Sequence, residues 1–143
     1  MLIGNLSLVV AALFSGAAIY INFAEQPARL KLDDQSLLAQ WKPSYERGFM
    51  MQAPLAVAGC LLGFAAWWMT GRLAFAVGAL LMITNLPWTV FAVMPTNKIL
   101  MQVELVAAGS QSRALIIKWN ALHAVRSGLG VLATLAFLIA LSN

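Results

Sequence analysis

Four apolar stretches dominate this chain, at about 2–23, 49–69, 73–94 and 114–141, and the first three hold no charged side chain. Crossing a bilayer takes about 20 predominantly apolar residues, and in lipid the backbone must satisfy its own hydrogen bonds. The spacing therefore predicts an all-α, membrane-embedded four-helix bundle, one domain covering 1–143. Composition agrees. Only 10% of the residues are charged, against roughly 25% in a soluble domain. No basic residue precedes the first stretch, as a signal peptide would require, so it reads as a retained span.

Thr70-Gly71-Arg72 is all that separates the second and third stretches, which implies a tight antiparallel hairpin. The two other connections are longer and emerge together on the opposite side. "TNKILMQVELVAAG" carries Ile99, Leu100, Val103 and Val106 at helical spacing, which predicts a short interfacial helix with Thr96 or Asn97 as N-cap. "QSLLAQW" suggests a second such helix. Arg72 is the one charged side chain on the side of the hairpin and the termini. The positive-inside rule places both long loops in the cytoplasm and both termini outside, in a bacterial inner membrane.

Small residues at Gly59 and Gly63, and at Ala124 and Gly128, let helices approach closely. Packing within the bundle is the first reading, and a homo-oligomer seam the second. Pro54 and Pro87 interrupt two helical ladders. Cys60 is the single cysteine, so neither an internal disulfide nor a redox pair is available, and it reads as a small packing residue. The net charge of +4 comes without a basic run or basic–aromatic interleaving, which argues against nucleic acid.

The polar residues Tyr20 and Asn22, Gln52, Asn85 and Thr89, His123 and Arg126 all fall in the half of the spans nearest the long loops. Ionisable groups at such depth are costly and usually face a bundle interior or a watery cavity. Trp119, His123 and Arg126 fall at i, i+4 and i+7, a stripe on one helix face roughly 10 Å long. With Asn85 and Gln52 at similar depth, and Tyr45 and Arg47 just before Gln52, they outline a polar pocket open toward the loops. One histidine and no clustered carboxylates leave no metal site. A lone imidazole beside a guanidinium suits proton removal from an acidic substrate, with the cation holding the anion. Binding of a lipid or quinone headgroup without catalysis, alone or as a subunit of a membrane assembly, is the alternative. Transport would call for polar residues in both bundle halves, and the far half is almost purely apolar.

"FSGAAIYINFAEQPARL", "WKPSYERGFMMQAPLA", "NLPWTVFAVMPTNKIL" and "IIKWNALHAVRSGLG" occur in order along nearly the whole chain. In this pattern the sequence resembles the anthrone oxygenase-like family of small four-helix membrane proteins. Its characterised members are fungal polyketide enzymes that oxidise an anthrone to an anthraquinone with molecular oxygen. The resemblance implies a monooxygenase chemistry with no metal and no cofactor. His123 would take the acidic C10 proton, and Arg126, helped by Asn97 or Asn120, would hold the phenolate. The anion would reduce oxygen directly, and the resulting peroxide would lose water to leave the ketone. Trp119, Trp88, Tyr45 and Phe91 would stack on a flat ligand. The partners implied are the lipid bilayer and a small hydrophobic aromatic molecule, anthrone- or hydroquinone-like.

Overall fold

A computed structural model describes residues 1–142. Four helices, α1 (Leu2–Arg29), α2 (Asp34–Thr70), α3 (Leu73–Gln102) and α4 (Ser110–Ser142), are each long and apolar enough to cross a membrane. They run up and down in a ring in which each helix packs on its two chain neighbours, and α4 closes back on α1. Between α2 and α3, Gly71 adopts φ +69°, and its N–H reaches the Trp67 carbonyl at 2.7 Å. That left-handed cap is the conformation glycine takes without Cβ strain. Arg72 then donates to the Ala140 carbonyl at 2.9 Å, so the hairpin's one cation caps the C-terminal end of α4.

At the opposite end the helices outrun the apolar stretches, and the connections shrink to residues 30–33 and 103–109. "QSLLAQW" is the start of α2 rather than a separate interfacial helix. "TNKILMQ" is helical as expected, but it runs on directly from α3. Thr96 and Asn97 lie buried inside it, so neither is an N-cap. The reason is packing. Leu37, Leu38, Trp41, Val93, Leu100, Ile116 and Trp119 form a hydrophobic cluster of their own at this end, which rewards the extra turns.

Polar contacts finish the same end. Asp33 accepts the Ser36 N–H at 3.0 Å as the N-cap of α2. Those bonds to Ser36 hold its carboxyl below the usual range. Lys42 donates to the carbonyls of Met101 (3.1 Å) and Val103 (2.6 Å), capping the end of α3. Arg113 pairs with Asp34 and donates to the Leu30 carbonyl at 3.0 Å, fastening the first connection to α4.

The larger core fills the other half around Phe14, Phe75, Met82 and Phe137. Gly63 and Gly78 seat the Phe137 ring, and a Cβ at Gly78 would stand 2.4 Å from it. Gly59 faces Met82 in the same way, so the Gly59–Gly63 spacing serves packing inside the bundle. Ala124 and Gly128 do not: both are exposed, and Gly128 has open space before it.

Between the two cores lies a polar layer of Gln52, Asn85, Thr89, His123, Arg126 and Ser127, all buried. At this level α1 and α3 each widen into one π-helical segment, Ile21–Glu25 and Thr89–Val93. The second follows Pro87, which has no N–H for the ladder. Such widened turns gather at functional sites.

Candidate functional site

His123 and Arg126 come from the middle of α4 and are 1% and 6% exposed. Together with Tyr45, Gln52, Asn97 and Trp119 they line one small, partly open cavity, whose other walls include Ile21, Ser44, Gly48, Phe49 and Val93. The open volume is about 10 Å³, room for about one water-sized group. Trp119 lies over His123, ring centroids 5.0 Å apart, and meets Trp41 edge-on at 5.7 Å; Trp41 in turn stacks on Tyr45 at 5.1 Å. Trp119 and Tyr45, at the two ends of this run about Trp41, line the cavity.

Its polar atoms are unusually free. Both amide atoms of Gln52, both of Asn97, Trp119 Nε1 and Arg126 Nε are buried with no hydrogen-bond partner among the described residues. Buried polar groups are paired in the great majority of cases, because leaving one bare costs about 1–3 kcal/mol. Arg126 also belongs to neither ion pair found among the described residues. Its guanidinium carbon instead faces the Phe14 ring at 5.7 Å. A buried cation without a carboxylate, ringed by unused amides, is the electrostatic complement of an anion.

Behind Trp119 stands a second guanidinium, that of Arg29, 5.9 Å from the ring centroid. It is anchored on Glu25 (2.6 Å) and Ser44 (3.0 Å), and Glu25 also takes hydrogen bonds from Ser44 and from Gln40 (3.0 Å). Gln26 donates to the Ile116 carbonyl at 3.2 Å. The Glu25-Gln26-Pro27-Ala28 segment thus ties α1 to α2 and α4 just outside the cavity.

On the α1 side His123 meets Asn22, Nδ1 to Oδ1 at 2.9 Å, and Ser127 Oγ donates to the same oxygen at 2.6 Å. The Asn22 amide nitrogen donates to Asn120, at 3.0 Å to its backbone carbonyl and 2.7 Å to its side-chain oxygen.

A family model described as "Anthrone oxygenase" matches residues 41–136, which include every residue from Trp41 to Arg126 just described on α2, α3 and α4. The chain belongs to the anthrone oxygenase family. Anthrone oxygenase gedH of Aspergillus terreus is 32% identical over 124 residues, covering 78% of this chain and 81% of that protein. Anthrone oxygenase AgnL2 of Paecilomyces divaricatus is 28% identical over 138 residues, covering 85% and 84%. Anthrone oxygenase tpcL of Aspergillus fumigatus is 30% identical over 131 residues, covering 85% and 81%. No solved structure matches the chain.

Five residues expected at the site lie elsewhere. Asn120 points away from the cavity and serves as the acceptor for Asn22. Asn85 is buried but spends its amide nitrogen on the Leu81 and Met82 carbonyls of its own helix, at 3.2 Å each. Trp88 clamps α3 to α4 by donating to the Leu122 carbonyl at 3.0 Å. Arg47 is exposed and lines an outer groove between α1 and α2. Phe91, expected to stack on a ligand, is 80% exposed on the outside of the bundle. The reason is rotational: neighbouring positions on one helix differ by about 100°, and similar depth does not mean a shared face. The residues that sequence reasoning left out are Asn22's partnership with His123, the Arg29–Glu25 anchor, and the small wall of Ile21, Ser44 and Gly48.

Proposed function

We propose that this protein is a membrane-bound, cofactor-free oxygenase acting on an acidic aromatic substrate of the anthrone or hydroquinone kind. The family membership supports oxygenase chemistry. The observation that carries the reading to these residues is Arg126, a buried guanidinium with no carboxylate, one helical turn from the chain's single histidine. His123 takes a proton from the benzylic carbon flanked by the rings. Arg126, Gln52 and Asn97 hold the enolate oxygen that results, which lowers the cost of ionisation, and delocalisation leaves that carbon more electron-rich than in the neutral substrate.

The carbanion transfers an electron to dioxygen, and the radical pair joins to form a carbon–oxygen bond. Protonation gives the hydroperoxide. Loss of the remaining hydrogen on that carbon, with cleavage of the O–O bond, leaves the ketone and releases water. One oxygen atom enters the product and one leaves as water, the electrons coming from the substrate itself. With a hydroquinone the same base and cation would give the quinone and hydrogen peroxide.

The cavity is too small for three fused rings as it stands, so its wall opens for the substrate. Ile21, Ser44 and Gly48 separate it from the outer α1–α2 groove, whose open volume is about 500 Å³, and these three line both spaces. In a bilayer this groove faces lipid, where a flat hydrophobic substrate dissolves. The Lys and Arg gathered at the end of the bundle that bears the two connections (Arg29, Lys31, Lys42, Arg47, Lys98 and Arg113, against Arg72 alone at the other end) orient both connections toward the cytoplasm. Oxygen uptake by the purified protein with a panel of anthrones and hydroquinones tests the reading. Tight binding of these compounds with no uptake would favour the non-catalytic binder.

A further inference from the structure

We infer that Asn22 is the positioning residue that selects the tautomer of His123, holding the proton on Nδ1 so that Nε2 is the basic nitrogen. The inference rests on the reading of His123 as a base. It starts from an amide whose orientation is fixed by its surroundings. The Asn22 nitrogen faces the Asn120 backbone carbonyl at 3.0 Å, and a carbonyl only accepts. A reversed amide would set two oxygens against each other there. The Asn22 oxygen therefore faces the other way, toward Ser127 Oγ at 2.6 Å and His123 Nδ1 at 2.9 Å.

An amide oxygen is an acceptor with two lone pairs, and both are now engaged. The serine hydroxyl gives one hydrogen and the imidazole must give the other. In a neutral imidazole one nitrogen donates and the other accepts, so a donating Nδ1 leaves Nε2 with the lone pair. Nε2 makes no hydrogen bond among the described residues, and His123 lines the cavity that also holds Arg126 and Gln52. Asn22 itself is not part of that cavity wall. It acts through the ring, from α1, while the base sits on α4.

Because the chain contains one histidine, its tautomer can be read directly by ¹⁵N NMR of protein labelled only at histidine, without substrate, at a pH where the ring is neutral. Wild-type protein should show a protonated Nδ1 and a bare Nε2. Asn22→Leu, which removes the acceptor, should shift the population toward Nε2–H and lower turnover by about 10²–10⁴-fold, the loss expected when a base is held in the wrong tautomer. Ser127→Ala removes a neighbouring bond but not the acceptor, and should leave the tautomer unchanged. A wild-type spectrum with the proton on Nε2 overturns the inference even if no variant folds, and so does an Asn22→Leu spectrum identical to wild type. A protonated Nδ1 in protein that never consumes oxygen would leave the tautomer assignment standing and remove the oxygenase reading instead.

Discussion

The Arg126 guanidinium carbon lies 5.7 Å from the centroid of the Phe14 ring, and no carboxylate shares its surroundings among the described residues. An aromatic face offsets only part of what burial costs a cation, about 2 kcal/mol in a desolvated setting. The charge is thus held at a cost to stability. Arg126→Met should stabilise the fold by on the order of 1 kcal/mol and so raise the melting temperature, while substrate binding is lost. Arg126→Lys should bind poorly as well, since a point charge lacks the planar donor fork. A thermal melt beside a binding titration checks both. A destabilised Met variant that still binds would place Arg126 among the structural residues.

Gln52 makes the same bargain in neutral form. Both its amide atoms are buried and unpartnered, so Gln52→Leu should gain about 1 kcal/mol of stability and lose roughly tenfold or more in kcat/KM. Equilibrium unfolding and oxygen-uptake kinetics on the same preparation give the two numbers. Lower stability with unchanged kinetics would mean that its amide is satisfied inside the bundle.

Gly48 and Ile21 stand in the wall shared by the cavity and the outer groove, on the proposed route inward. A Cβ at position 48 would sit 3.8 Å from Ile21 Cδ1, in ordinary contact. Gly48→Ala should therefore be nearly silent, whereas Gly48→Leu should block the wall and cut kcat/KM for polycyclic substrates by roughly tenfold or more. Ile21→Ala should have the opposite tendency, favouring larger substrates. Comparing one-ring with three-ring hydroquinones checks this, because a general folding defect would affect both sizes alike.

Gly78 provides a control far from the chemistry. Its added methyl would lie 2.4 Å from Phe137, which is held in turn by Gly63 and Phe75. Gly78→Ala should cost about 1–3 kcal/mol through overpacking, as read by denaturant unfolding, and the folded fraction should keep wild-type turnover.

The four helices were legible because apolar runs of that length have few alternatives in a protein. Their true ends were not. Leu37, Leu38 and Trp41 read as an interfacial fragment until Leu100 and Trp119 are seen to meet them, and that pairing is long-range. Within α4, the stripe of Trp119, His123 and Arg126 follows from spacing alone, and all three line the cavity. Between helices, spacing gives depth but not rotation. Asn85 and Asn22 sit at comparable depth, yet Asn85 turns back on its own helix and Asn22 reaches His123. The π-helical turns of α1 and α3 shift the register at this level, and an even 3.6-residue period does not foresee them.

His123 carries the central claim, and oxygen uptake by purified His123→Ala protein with an anthrone that the wild type turns over tests it most directly. Removing the base should lower turnover by about 10²–10⁴-fold while binding, held by Arg126, weakens far less. Near-normal uptake by His123→Ala would contradict it, leaving the imidazole as a hydrogen-bonding link between α1 and α4 and the proton to some other group.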